Sequence, residues 1–221
     1  MRVIAGSAGG IRLAVPKRGV RPTMDRVKAA VFSSLGESVA GARVLDLFAG
    51  SGALGIEALS RGAFSAVFVE EDRQSAEIIE RNLARTKLKG RVRQQNVFDF
   101  LRGASSVEAA VSAAGRLAQT PSQRQMNERF DIIFADPPYE RTKRGESYTE
   151  KLLTNEALSR LLRSGGVFVL EKRPNEILTE MKLWRIVRRK TYGTTEVLFL
   201  SAICNPQLVR RSLGEGGSAI R

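Results

Sequence analysis

Asp46-Leu47-Phe48-Ala49-Gly50-Ser51-Gly52-Ala53-Leu54-Gly55 is the stretch that decides the fold of this chain. A short apolar run beginning at Arg43 leads into it, and residues 54–61 behind it place apolar side chains at helical spacing until Gly62 closes the segment. Strand, glycine loop and helix in that order open a doubly wound α/β sheet. The alternation continues outward. Residues 66–69 read as a second buried strand ending at Glu70-Glu71-Asp72, and a charged helix pattern runs from about Arg73 to Lys87. Arg91–Gln94 reads as a third strand and Phe130–Ala135 as a fourth, stopped by Pro137-Pro138. Residues 167–170 read as a fifth, after a turn at Gly165-Gly166. Residues 184–190 and 196–201 have strand character around Gly193 and predict an antiparallel pair at the sheet edge. The fold class is therefore α/β, a Rossmann-like, doubly wound, mostly parallel sheet with an antiparallel edge.

Upstream of the loop, Val3-Ile4 and residues 11–15 flank the glycine-rich residues 6–10 and predict a small N-terminal β-hairpin within residues 1–22. Helical spacing takes over from Thr23, with Val27, Ala30, Val31 and Leu35 on one face. The main domain is expected over residues 23–204. Residues 103–129, rich in Ala, Ser and Gln, form an insertion, and residues 205–221, with three arginines and no periodicity, a disordered basic tail.

Of 221 residues, 36 are Lys or Arg and 23 Asp or Glu, a formal charge of +13 that suits either a polyanionic partner or a solvated basic surface. The single cysteine, Cys204, excludes an internal disulfide framework and a multi-thiolate metal site. The absence of histidine excludes a His general base, a Ser-His-Asp triad and a His-ligated zinc. No metal is expected. The N-terminus carries no cleavable signal pattern and no apolar run nears the ~20 residues that span a bilayer, so a cytoplasmic protein without a membrane partner is expected.

Glycines at the loop allow close backbone approach to a ligand, and an acid ending the second strand, Glu70, can accept from a ribose diol. Both features suit NAD and S-adenosylmethionine alike. Asp46 separates them: a carboxylate there would oppose a pyrophosphate, whereas S-adenosylmethionine brings an ammonium and a sulfonium. A ligand-free strand-to-helix turn would explain the glycines but not an acid on each side of them. Phe48, Gly50, Ser51 and Gly52 complete the candidate cofactor loop, and Asn96 with Val97, past the third strand, is placed to meet an adenine edge.

Asp136-Pro137-Pro138-Tyr139 follows an apolar strand and so belongs at its carboxyl end, where open α/β sheets bind ligands. Two prolines fix the backbone and remove two amide donors, leaving the Asp136 carboxylate and nearby carbonyls to accept an incoming N–H. Accepting those hydrogens localises the lone pair of an exocyclic base amine, and Tyr139 offers a stacking surface, a contact worth roughly 1–3 kcal/mol. A rigid turn capping the strand is the plainer alternative.

With these pieces in place the chain resembles the bacterial 16S ribosomal RNA guanine-N2 methyltransferase family, RsmD, from Arg2 to about Ser201. The resemblance is carried by Arg21-Pro22-Thr23-Met24-Asp25-Arg26-Val27-Lys28, by residues 46–62, by Phe68-Val69-Glu70 and by Asp136-Pro137-Pro138-Tyr139. It implies a class I S-adenosylmethionine-dependent methyltransferase that acts on guanine 966 of 16S ribosomal RNA within a small-subunit particle, leaving S-adenosylhomocysteine. It also implies that Thr23, Asp25 and Arg26 lie over the cofactor and target-base cleft. Arg12, Lys17, Arg21 and Arg26 become the candidate RNA contacts. Three departures stand out: Asn96 replaces the family's usual acid, residues 6–10 lack lysine and aromatic side chains, and the 103–129 stretch is long. The competing readings are another Asp-Pro-Pro-Tyr amino methyltransferase acting on adenine or a protein glutamine, an NAD-binding oxidoreductase, and a non-catalytic RNA-binding assembly factor. A monomer is expected.

Overall fold

The structure, a computed structural model, describes residues 1–16, 24–104, 129–138 and 147–203 apart from 175, 177, 179 and 180. Seven strands form one sheet in the order β3-β2-β1-β4-β5-β7-β6: β1 (Arg43–Leu47), β2 (Ser65–Glu70), β3 (Arg91–Gln94), β4 (Phe130–Ala135), β5 (Leu162–Lys172), β6 (Trp184–Tyr192) and β7 (Thr195–Ala202). β1 to β5 pair in parallel, and β7 runs antiparallel to both β5 and β6. The Rossmann-like sheet with an antiparallel edge is thus observed as the sequence predicts.

The central strands read as unbroken apolar runs because both faces are covered. Alternation within each strand divides the residues between two cores. Val44, Phe68, Ile132, Phe134 and Val169 face α1 (Met24–Leu35), α2 (Ala53–Ser60), α3 (Arg73–Thr86) and the N-terminal residues Val3, Ala8 and Leu13. Leu45, Val67, Ile133, Phe168 and Leu170 face a second layer of helices, α4 (97–104), α5 (Tyr148–Leu153) and α6 (Glu156–Leu161). These three helices escape the periodicity reading because each is too short to show a stripe; Asn96, Ser147 and Asn155 cap them instead, accepting from Phe98, Glu150 and Leu158.

The N-terminal hairpin is reduced to its minimum. Arg2 and Arg12 form one antiparallel bridge, with Val3 N donating to Ile11 O and Gly10 N to Val3 O, both at 2.9 Å. Its body is an arm lying along α2. The Glu57 carboxylate, fully buried, accepts from Ile4 N (2.7 Å) and Ala5 N (3.1 Å) and pairs with Lys28 (3.2 Å) and Arg61 (2.8 Å). Gly6 presses so closely on α2 that a Cβ there would stand 1.8 Å from Ser60 O.

One expectation needs correction: Gly165-Gly166 does not precede the fifth strand as a turn but lies inside it. The register jumps from Phe130↔Leu162 to Ile132↔Val167, so β5 bulges over extra residues before resuming its ladder. Gly165 takes φ +79°, and a Cβ on Gly166 would meet Asp131 O at 2.8 Å. Glycines make the bulge possible; from sequence a bulge and a turn look alike.

Candidate active site

Of the predicted site residues, Asp46, Glu70 and Asp136 stand at the carboxyl ends of β1, β2 and β4, which lie side by side. Gly52 occupies the capping position just before α2 but has no side chain to cap it. Asp46, on β1, supplies the cap: its Oδ2 accepts from Gly55 N, in the first turn of α2, at 2.9 Å. The carboxylate is 2% exposed. Burial raises its pKa to about 8, against the Gly55 hydrogen bond, and the negative charges of Asp136 and Glu70 push the same way. The field of those two groups at Asp46 ties together the three acids that the sequence placed on separate segments.

Glu70 also turns to the backbone, its Oε2 accepting from Gly50 N at 2.7 Å and its Oε1 from Asp72 N at 2.9 Å. It thereby holds the glycine loop against the end of β2. The loop glycines divide by role. A Cβ on Gly52 would come within 3.1–3.3 Å of Ile79, Ile56 and Phe68, and one on Gly55 would stand 2.3 Å from the Phe68 ring. Those two make room for a core aromatic. Gly50, at φ +54°, has nothing nearer than Phe48 O at 4.0 Å, so its side-chain position opens to free space. Ser51 is buried, with its Oγ 3.6 Å from Met1 Sδ and its carbonyl accepting from Asn82 Nδ2 at 2.9 Å.

Phe48 sits at φ +56°, a conformation that costs a bulky L-residue about 1–3 kcal/mol and persists where surroundings enforce it. The enforcement is visible. Ala49 N bonds Val69 O at 3.1 Å, and the Phe48 ring packs edge-on against Phe98 (6.2 Å) and Tyr148 (5.7 Å). Phe98 and Tyr148 stack at 6.1 Å, and Lys151 Nζ lies 4.1 Å from the Phe98 ring centre. This aromatic group was not singled out in the sequence, because its members come from three unrelated segments.

Asn96 Oδ1 caps α4 through Phe98 N and its Nδ2 donates to Glu71 Oε2, each at 2.9 Å, while Val97 is buried as the first residue of that helix. Asp136 is half-buried, Pro137 buried and Pro138 exposed at the end of β4. Asp25 Oδ1 lies 3.5 Å from Arg2 N, and Arg26 and Arg12 are exposed, with Arg12 O accepting from Arg85 at 3.1 Å. Lys17, Arg21, Thr23 and Tyr139 lie outside the described residues, as do residues 105–128 and the 205–221 tail. Among the described residues no helix is long and apolar enough to cross a membrane.

Several known proteins are similar to this chain in sequence and in fold. The family model described as "Conserved hypothetical protein 95" matches residues 1–201. YlbH of Bacillus subtilis strain 168 is 36% identical over 199 residues, covering 89% of this chain and 96% of that protein. The Ribosomal RNA small subunit methyltransferase D of Escherichia coli K12 is 33% identical over 199 residues, covering 87% and 85%. Among solved structures, the hypothetical protein TTHA0928 of Thermus thermophilus superposes with a TM-score of 0.69 at 29% identity, covering 91% of this chain and 99% of that one. Matched along nearly its whole described length, the chain belongs to the conserved hypothetical protein 95 family, that of the ribosomal RNA small subunit methyltransferases D.

Proposed function

We propose that this protein transfers a methyl group from S-adenosylmethionine to the N2 amine of guanine 966 of 16S ribosomal RNA within a small-subunit particle, acting as a cytoplasmic monomer. The observation that carries the reading is the arrangement at one sheet edge: Asp136-Pro137-Pro138 ends β4 beside a glycine loop flanked by Asp46 and Glu70. The family membership supports it. The donor set also fits the cofactor, since an open position at Gly50 lies among three acids suited to a ligand bearing an ammonium and a sulfonium.

The cofactor, when bound, supplies an already activated methyl on its sulfonium. The chain's own residues do the rest. Gly50 leaves room for the ligand, Ser51 and Gly52 shape the turn, and Glu70 supplies negative potential, which Asp46, held neutral by burial, joins as it ionises towards pH 8. Phe48 and Val97 wall the adenine side, with Asn96 holding α4 in place. Asp136 accepts hydrogens of the target amine, localising its lone pair for in-line attack, and Pro137 and Pro138 fix that acceptor. Tyr139 stacks on the base, while Thr23 and Asp25 close over the cofactor. Arg12, Lys17, Arg21 and Arg26 hold phosphates along the approach. On this reading residues 1–22 are an RNA-facing arm of a catalytic domain spanning residues 23–204.

The test is transfer of radiolabelled methyl to purified small subunits and to protein-free 16S RNA, followed by nucleoside analysis. Labelled N2-methylguanosine is expected, strongest on the particle. Labelled methyladenosine would replace the substrate, and no transfer to either RNA would overturn the reading.

A further inference from the structure

Asn82, on α3, is 1% exposed and uses its whole amide on partners outside its helix. Its Oδ1 accepts from Ala14 N at 2.8 Å, and its Nδ2 donates to Ala14 O and to Ser51 O, both at 2.9 Å. An amide nitrogen has two hydrogens, and both are spent here. The partners are distant in function. Ala14 lies in the N-terminal arm just before the segment that holds Lys17, Arg21 and Thr23; Ser51 is the middle of the glycine loop. A second contact runs parallel: Met1 Sδ reaches Ser51 Oγ at 3.6 Å, and Met1 O accepts from Leu13 N at 3.1 Å. Met1 directly and Ala14 through Asn82 therefore both close on the same loop residue. Glu57 fastens the middle of the arm to α2, but among the buried polar side chains of the described residues Asn82 is the one that grips arm and loop together.

We propose that Asn82 is a positioning residue that couples the arm to the cofactor loop, so that RNA on the arm and cofactor in the loop each tighten binding of the other. This rests on the function proposed above. The three bonds leave no slack: a shift of Ala14 must move the amide, and the amide must carry Ser51 O or leave it buried without a partner, which is unfavourable. Such coupling is reciprocal, and its ordinary range is about 5–150-fold in affinity.

The experiment measures affinity for radiolabelled S-adenosylhomocysteine by equilibrium dialysis, without and with saturating protein-free 16S RNA, in the wild type and in Asn82→Leu. RNA is expected to tighten wild-type binding about tenfold, and to leave the variant's affinity unchanged while the variant still binds RNA. A variant that keeps the tenfold effect, or a wild type that binds both ligands independently, would overturn the coupling. A wild type that binds neither RNA nor S-adenosylhomocysteine would instead bring down the functional reading beneath it. Hydrogen exchange on the wild type decides the matter even if Asn82→Leu does not fold. Added S-adenosylhomocysteine should slow exchange of the Ala14 amide, and an unchanged rate would overturn the proposal.

Discussion

Asp46 lies on a strand yet caps a helix, and its pKa near 8 follows from being buried for that purpose beside two other acids. The sign of its pH effect is set by the raised value. Stability from the neutral form is fully present below the ordinary carboxylate range and is lost as pH rises towards 8, on the order of a few kcal/mol in all. Asp46→Asn keeps an acceptor for Gly55 N but cannot ionise, so the urea-unfolding gap between variant and wild type should widen in the variant's favour from pH 5 to pH 8. A cationic cofactor favours the ionised carboxylate, so wild-type affinity should strengthen over pH 6–8 and the variant's should stay flat, a contrast calorimetry can read. Asp136→Ala, by comparison, should preserve cofactor affinity and lower methyl transfer about 10²–10⁴-fold, checked by single-turnover kinetics. The glycines offer a paired prediction. Gly55→Ala drives a Cβ into Phe68, a ring already hemmed in by Gly52 and Gly90, and should destabilise by about 1–3 kcal/mol in denaturant unfolding. Gly50→Ala meets no neighbour, so its cost in stability is that of an L side chain at φ +54°, about 1–2 kcal/mol, and it should also weaken cofactor binding.

At the scale of elements, α2 is the shared support. One face packs on the sheet, its first turn is capped from β1, and its other side carries the arm through Glu57 and Ser60. Glu57 has four donors around it, and burial pulls the Lys28 ammonium below its ordinary pKa even though Glu57 opposes that shift. Glu57→Ala would leave the buried Lys28 ammonium without its counter-ion and two half-buried amides without their acceptor. A stability loss of about 3–5 kcal/mol is expected, with limited proteolysis cutting the arm before the rest of the chain. The arm was legible in sequence as a hairpin with a glycine turn. Its attachment was not, because Ile4 and Ala5 meet Glu57 across more than fifty residues and neither is polar in its side chain.

For the whole molecule, the surplus of 36 basic over 23 acidic residues bears on how the proposed RNA substrate would be held. If phosphate contacts dominate, log affinity for RNA should fall linearly with log salt, by about 0.7 per contacted phosphate on a single strand. Cofactor affinity, set by buried groups, should change far less over the same range. Titration of both ligands from low to moderate salt would check this, and equal slopes would argue that the basic surface plays no part in RNA binding.

The sequence by itself determined the layered α/β sheet, the edge at which Asp46, Glu70 and Asp136 gather, and the family, because apolar period, glycine position and proline stops are local properties that survive without knowledge of neighbours. Strands such as Arg91–Gln94 and Phe130–Ala135 were legible to the residue for that reason. Only the tertiary structure decided what the acids and glycines touch. Asp46 and Glu70 hold backbone amides, Gly52 and Gly55 clear space for Phe68, Phe48 meets Phe98 and Tyr148, and Asn82 joins two segments that the chain keeps far apart. A hydrogen bond or a ring contact belongs to a pair of residues, and when the pair is brought together by folding, neither member alone carries its signal.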